Sequence, residues 1–188
     1  MAPSNLPISE LKIEPGAIPG AFRIVPQAWS DLRGFFQETY VRSKYCELGV
    51  ADEFVQDNVS YSRRGVLRGL HCDPRMSKLV YVAQGEVFDV IVDARKDSPA
   101  FGTWESVYLR AAEHTQLYIP RGCLHAFLAL TDKVIFCYKQ SAEYAPEREI
   151  GVRWDDPDLA IPWPDVGTAP ILSEKDRRNR SFREAFPA

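Results

Sequence analysis

Two of the three histidines of this chain lie where acid–base chemistry is favoured. His71 ends the stretch 65–71, Gly-Val-Leu-Arg-Gly-Leu-His, which also carries the cationic Arg68. His125 lies beside hydrophobic residues, whereas His114 lies in a polar run. A histidine held in an otherwise apolar pocket can take up and release a proton near neutral pH. The pattern therefore favours proton-transfer chemistry centred on His71.

Regularly spaced short strands are predicted to position these histidines. Turn sequences separate β-branched and aromatic runs, a pattern that predicts an all-β fold, either an antiparallel sandwich or a small barrel. In one run Phe88, Val90 and Val92 share one face while Asp89 and Asp93 share the other, which predicts a half-buried strand. The predicted strands are residues 55–61, 66–71, 78–82, 87–93, 104–109, 116–119, 126–130 and 134–138.

The N-terminal residues 1–20 contain four prolines and two glycines. This density of helix breakers predicts an extended arm. Such an arm needs a surface to lie on, and we expect a homodimer formed through it. Strands are predicted at 21–25 and 35–41, and a short helix at 43–48 with Gly49 as its C-terminal cap.

The C-terminal region, beyond Tyr144, begins with a proline-rich segment that is expected to wrap the core without pairing deeply into it. Ser173-Glu174-Lys175-Asp176 then has the S-x-x-D form of a helix start. A helix is therefore predicted within 171–188, with a charged body that runs to Arg183. We expect the whole chain, 1–188, to form a single domain.

Composition excludes several classes of function. The net charge of −3 argues against a nucleic-acid-binding surface. The four cysteines are scattered without a C-x-x-C pair, so neither a zinc knuckle nor a redox dithiol is indicated. The N-terminus lacks the pattern of a signal peptide, and no apolar segment approaches the length of a membrane span. These features predict a cytoplasmic protein with no membrane partner.

The histidines are too few for a metal centre. Pro120-x-Gly122-x-x-His125, about fifty residues after 65–71, resembles the two-motif layout of the cupin superfamily, which are jelly-roll β-barrels. Metal-binding cupins carry a second histidine two residues after the first, but Asp73 stands at that position here. His71 and His125 alone cannot form a three-histidine site. Neither a catalytic metal nor a cofactor is expected.

A longer series of motifs runs through most of the chain, at 33–38, 54–58, 65–71, 78–80, 85–90, 98–102, 119–125, 138–139, 154–157, 161–164 and 172–176. In this order they resemble the dTDP-4-dehydrorhamnose 3,5-epimerase family. These are metal-free cupins that invert the carbons next to the ketone of a nucleotide-linked 4-keto-6-deoxy sugar. The resemblance implies a cupin jelly-roll barrel with an N-terminal arm and a short C-terminal helix.

The resemblance also implies a role for each matching residue. His71 matches the family's general base, Asp176 the carboxylate that pairs with it, and Tyr138 the acid that returns a proton from the opposite face. Lys78 and His125 match residues near the substrate carbonyl, and Arg68 is a positive group facing the ligand. Six further residues match positions that bind the nucleotide portion in the family: Arg33, Glu38, Gln56, Asn58, Glu149 and Lys175. In the family, some of these positions reach the site of a neighbouring subunit.

Simpler interpretations remain for several of these residues. Asp176 is the third residue after Ser173, so helix capping alone explains it. Lys78 could be a charge that protects a sheet edge, and Tyr138 a buried tyrosine. Arg68 and His71 would point to opposite faces of a regular strand. We therefore predict a bulge at Gly69, between them.

Two departures from the family pattern leave the substrate open. Only six residues separate His71 from Lys78, where the family commonly has a longer loop, and Val59 replaces a residue that is often polar. A single-carbon epimerase or a ketoisomerase acting on another nucleotide sugar, such as a GDP-linked keto-heptose, is compatible with the same residues. So is a non-catalytic cupin that binds sugar nucleotides.

Overall fold

The computed structural model describes residues 6–187 and is built mainly of antiparallel strands. The strands are β1 Leu6–Ser9, β2 Lys12–Pro15, β3 Phe22–Val25, β4 Ala28–Asp31, β5 Gly34–Gln37, β6 Gln56–Ser62, β7 Leu67–Cys72, β8 Lys78–Gln84, β9 Glu86–Asp93, β10 Trp104–Arg110, β11 Gln116–Ile119, β12 Cys123–Ala129, β13 Val134–Gln140 and β14 Ile150–Gly151. The α-helices are α1 Arg42–Glu47 and α2 Phe182–Ala185, with 3₁₀ turns at Ala111–Glu113, Pro146–Arg148 and Asp176–Arg178.

Two large sheets pack face to face. One has the strand order β10-β9-β12-β7-β14 and the other β2-β3-β11-β8-β13-β6, while β1-β4-β5 form a small third sheet. Side chains from both large sheets, including Val80, Ile91, Phe127 and Phe136, form a buried cluster between them. The predicted all-β jelly-roll class is confirmed. All eight strands predicted from residue 55 onward are present, the strand at 116–119 with the predicted bounds and the other seven with shifted ends.

Strand β9 corrects the prediction of a half-buried strand. Its Phe88 face belongs to a second core, which the C-terminal segment covers with residues such as Ile161 and Phe182. Asp89 and Asp93 are fully buried as well. The alternating pattern assigned the two faces correctly but could not show that each is covered. The acidic face of β9 is turned toward the space between the sheets, beside Ile91.

The C-terminal helix is present but shorter and later than predicted. Ser173 caps only a 3₁₀ turn, since the Asp176 amide donates to Ser173 Oγ over 3.0 Å. The chain then extends to pair Arg180 with Val152. Helix α2 begins after Ser181, which forms a capping box with Glu184. The wrapping path of the proline-rich segment is confirmed, because its apolar residues cover the outer face of β7, β9 and β12.

The N-terminal arm is extended, as predicted for the part that lies within the described residues; residues 1–5 and 188 lie outside them. Strand β2 pairs with β3 and β1 pairs with β4, so the arm lies on the chain's own sheets. Helix α1 ends as predicted, with Gly49 at a φ of +93° and the Val50 amide bonded to the Tyr45 carbonyl. None of the helices within residues 6–187 has the length and apolar character of a membrane span.

Candidate active site

A cavity of about 590 Å³ lies between the two large sheets. Strands β7 and β12 of one sheet line it, together with β6, β8 and β13 of the other and the segment around Asp176. The sequence-predicted residues that line it are His71, Tyr138, Asp176, Gln56, Asn58, Arg68, Lys78, His125, Glu149 and Lys175. Arg33 and Glu38 are not among its lining residues.

A bulge in β7 brings Arg68 and His71 to the same cavity. In the ladder with β12, His71 pairs with His125 and Arg68 pairs with Phe127, so three steps on β7 match two on β12. Gly69 lies within this bulge at a φ of +127°. A Cβ there would lie 2.3 Å from the Ala126 Cβ, so the close approach of the strands requires glycine. The predicted irregular pairing is confirmed.

His71 forms a short pair with Asp176. The His71 Nε2 and Asp176 Oδ1 atoms are 2.5 Å apart, and Asp176 is only 4% exposed. Burial opposes ionisation of Asp176, but its hydrogen bonds to His71 and Ser173 and the charge of His71 outweigh that effect and lower its pKa. Helix capping therefore does not explain the Asp176 side chain, which lies against the imidazole. A carboxylate in this position fixes the ring and stabilises its cationic form.

Tyr138 reaches the cavity from the other sheet. It lies on β13 opposite Asn58 of β6, whereas His71 lies on β7. Burial raises the pKa of the Tyr138 phenol, and the nearby Arg68 only partly offsets this. The phenol therefore keeps its proton at neutral pH and can donate it. An imidazole and a phenol on opposing sheets can remove a proton from one face of a bound molecule and donate a proton to the other face.

Lys78 and His125 line the same cavity, and together with the buried Asp89 behind His125 they form an ionisable cluster. Lys78 lines the cavity from β8, and burial lowers its pKa. His125 Nε2 lies 3.0 and 3.1 Å from the two carboxylate oxygens of Asp89. Positive groups at this position can stabilise an oxyanion. Sequence reasoning missed Asp89; the indication available was an acidic residue in the middle of an apolar strand.

Amide side chains line another part of the cavity. Gln56 donates to Asn58 over 2.8 Å, and Asn58 donates to Gln140 over 3.1 Å. The Tyr144 amide in turn donates to Gln56. Nearby, Lys175 is paired with Glu149. This combination of amides with a paired cation and anion offers donors and acceptors to a polar ligand.

Arg33 and Glu38 lie outside the cavity of their own chain. Arg33 occupies the turn between β4 and β5, paired with Asp31, and its side chain is 84% exposed. Glu38 accepts a hydrogen bond from Lys44 over 2.6 Å. Within residues 6–187, no three His, Cys, Asp or Glu side chains are grouped closely enough to hold a metal ion.

This cavity, between the sheets of a cupin-like jelly roll, has the fold and the ionisable residues of an isomerase that moves protons. Comparison with known proteins defines the family. The family model described as dTDP-4-dehydrorhamnose 3,5-epimerase matches residues 15–184. The chain belongs to this family.

Individual relatives are similar over nearly their whole length. The dTDP-4-dehydrorhamnose 3,5-epimerase of Pseudomonas aeruginosa is 46% identical over 176 residues, which cover 91% of this chain and 97% of that protein. The Legionella pneumophila dTDP-6-deoxy-D-glucose-3,5-epimerase, solved with dTDP-4-keto-L-rhamnose, has a TM-score of 0.89 and 42% identity over 95% of this chain and 98% of its own. A 3'-monoepimerase from Streptomyces bikiniensis, solved with dTDP-quinovose, has a TM-score of 0.84 and 37% identity, covering 90% of this chain and 87% of its own.

Proposed function

We propose that this protein is a cofactor-independent epimerase that inverts both carbons next to the ketone of a dTDP-linked 4-keto-6-deoxy sugar. The observation that carries the proposal is the placement of His71 and Tyr138 on opposing sheets around one cavity. The names of the relatives give the nucleotide and the sugar class.

Each inversion needs one base, one acid and a stabilised oxyanion. His71 removes the proton from the carbon beside the ketone, and Asp176 stabilises the resulting imidazolium. The electron pair of the broken C–H bond moves onto the ketone oxygen, beside Lys78 and His125. Tyr138 then delivers its proton to the opposite face of the carbon. Solvent resets both groups, so the proton on an inverted carbon comes from water.

The assembly and the compartment are part of the same proposal. A homodimer is supported by the β4–β5 hairpin, which exposes Phe35 and Phe36 beside Arg33. In such a dimer Arg33 and Glu38 reach the nucleotide in the partner's cavity. The cytoplasm, where thiols stay reduced, fits the four free cysteines.

The test is deuterium incorporation from heavy water into dTDP-4-keto-6-deoxyglucose, followed by NMR. The wild type should place deuterium on both carbons next to the ketone and invert both. His71→Asn should lower exchange by about a hundredfold or more. Tyr138→Phe should still exchange deuterium, because the base is intact, but should lose inversion.

Control variants separate these effects from general damage. His114→Asn and Tyr108→Phe change the same residue types outside the cavity lining and should retain both exchange and inversion. Full turnover by both His71→Asn and Tyr138→Phe would contradict the assignment of base and acid.

A single-carbon epimerase is the second candidate, favoured by the similarity to the Streptomyces bikiniensis 3'-monoepimerase. It would incorporate one deuterium per sugar, whereas a ketoisomerase would move the carbonyl. A binding protein without catalytic activity would bind the nucleotide sugar and exchange no proton. A panel that includes GDP-linked keto sugars tests the nucleotide in the same experiment.

A further inference from the structure

Asp89 is the most deeply buried acidic group of the cavity region, and the proton transfers assigned above do not use it. It lies within β9, an interior strand of its sheet, with no exposed surface. Both of its carboxylate oxygens lie within 3.1 Å of the same atom, His125 Nε2. Burial raises the pKa of Asp89, while the charges of His125 and Lys78 and the hydrogen bond from His125 oppose that shift.

A buried carboxylate is unfavourable unless a charged partner compensates it. The other acidic groups that face Lys78 have cationic or imidazole partners of their own. Asp73 is paired with Arg75, and Glu149 with Lys175. The Cys72 thiol is neutral at physiological pH, because burial raises its pKa to about 12. His71, which lies opposite His125 in the β7–β12 ladder, is paired with Asp176.

These pairings leave three groups to balance one another: Lys78, His125 and Asp89. If His125 is neutral, the positive charge of Lys78 is cancelled by the negative charge of Asp89. The cluster then has no net charge with which to stabilise an anion. If His125 is protonated, the cluster carries one net positive charge. An enolate formed beside it would then neutralise the cluster, which is the condition for stabilising the transition state more than the ketone.

We propose that Asp89 is a positioning residue for the epimerisation: it holds His125 through Nε2–H as an imidazolium, so that Nδ1–H donates to the ketone oxygen as it becomes an enolate. This inference rests on the proposed function and deepens it. Asp89 acts through His125 and does not contact the substrate. The His125–Asp89 pair thus stabilises the oxyanion, whereas the His71–Asp176 pair removes the proton.

The test is the pH profile of kcat for Asp89→Asn, which keeps the size of the side chain and removes its charge. A carboxylate favours the cationic form of a neighbouring imidazole, so its loss lets the imidazolium deprotonate at lower pH. The alkaline limb of the profile should therefore move down by about one pH unit, with a larger change in kcat than in KM. An unchanged alkaline limb would overturn the proposal.

Asp93→Asn is the matched control. Asp93 lies on the same strand and is equally buried. Its partners are Arg95 and Ser98, neither of which lines the cavity, whereas the partner of Asp89 is the cavity-lining His125. This variant should be less stable and yet keep the alkaline limb in place. Combining Asp89→Asn with His125→Asn provides a further check. If Asp89 acts through His125, the double variant should lose no more activity than His125→Asn alone.

A direct measurement requires no variant. The side-chain ¹⁵N chemical shifts of His125 in the folded wild type should be those of an imidazolium at pH 7, and a neutral ring would overturn the proposal even if Asp89→Asn fails to fold. Failure of the function itself looks different. The wild type would then incorporate no deuterium into the sugar, whatever the state of His125.

Discussion

Burial and pairing set the ionisation state of each cavity residue, and they do so differently for each. Burial raises the pKa of Tyr138, which keeps the acid protonated. Burial lowers the pKa of Lys78, which lies among acidic groups that limit the shift. Hydrogen bonding and charge lower the pKa of Asp176 despite its burial. A cavity with such divergent environments can hold a base and an acid ready at the same pH.

Asp176→Asn should remove a pH-dependent part of the stability. A carboxyl whose pKa is lower in the folded protein stabilises it fully above the unfolded value, about 3.9, and loses that contribution as the pH falls through the lower folded value. The urea midpoint of the wild type should therefore exceed that of Asp176→Asn at pH 7, and the two should converge in strong acid. A constant difference across this range would show that the charge of Asp176 is not involved.

At the scale of the element, the bulge in β7 is the feature on which the site depends. It turns both Arg68 and His71 toward the cavity, while Leu70 and Cys72 remain in the second core, which the C-terminal segment covers. Its geometry requires Gly69, because the neighbouring strand leaves no space for a Cβ. The strand therefore combines a packing function on one face with a chemical function on the other.

Gly69→Ala should destabilise the protein by about 3 kcal/mol or more, since it adds both a clash with β12 and an unfavourable φ. Gly34→Ala is a control with nearly the same φ, +125°, but no atom within 4 Å of the new Cβ. Its free energy of unfolding should fall by only about 1 kcal/mol, the cost of placing alanine at a positive φ. Urea unfolding of both variants measures the difference, and equal losses would show that the close approach at Gly69 is unimportant.

At the scale of the whole molecule, Arg33 in the turn of the β4–β5 hairpin is exposed and does not line the cavity of its own chain. If two subunits exchange these residues, each cavity contains His71 from one chain and Arg33 from the other. Mixing two variant proteins, one altered at Arg33 and the other at His71, then provides a test of assembly.

Arg33→Ala should raise KM and His71→Asn should abolish turnover when each homodimer is measured alone. In a mixed dimer, one cavity combines the intact His71 of the first variant with the intact Arg33 of the second. Mixing the two proteins after mild dissociation and reassociation should therefore restore activity with the wild-type KM. Lack of recovery in a verified mixed dimer would place Arg33 outside the partner's site.

The amino-acid sequence alone determined the strand pattern, the Gly49 cap, the need for a bulge at Gly69 and the family, because these depend on local residue types and on motif order. The sequence predicted too long a C-terminal helix. The pairing of Arg180 with Val152 interrupts the charged segment that begins at Ser173. Only the tertiary structure decided that both faces of β9 are covered and that Asp89 therefore lies against His125. An alternating strand pattern specifies which residues share a face; which face is buried depends on what distant segments pack against it.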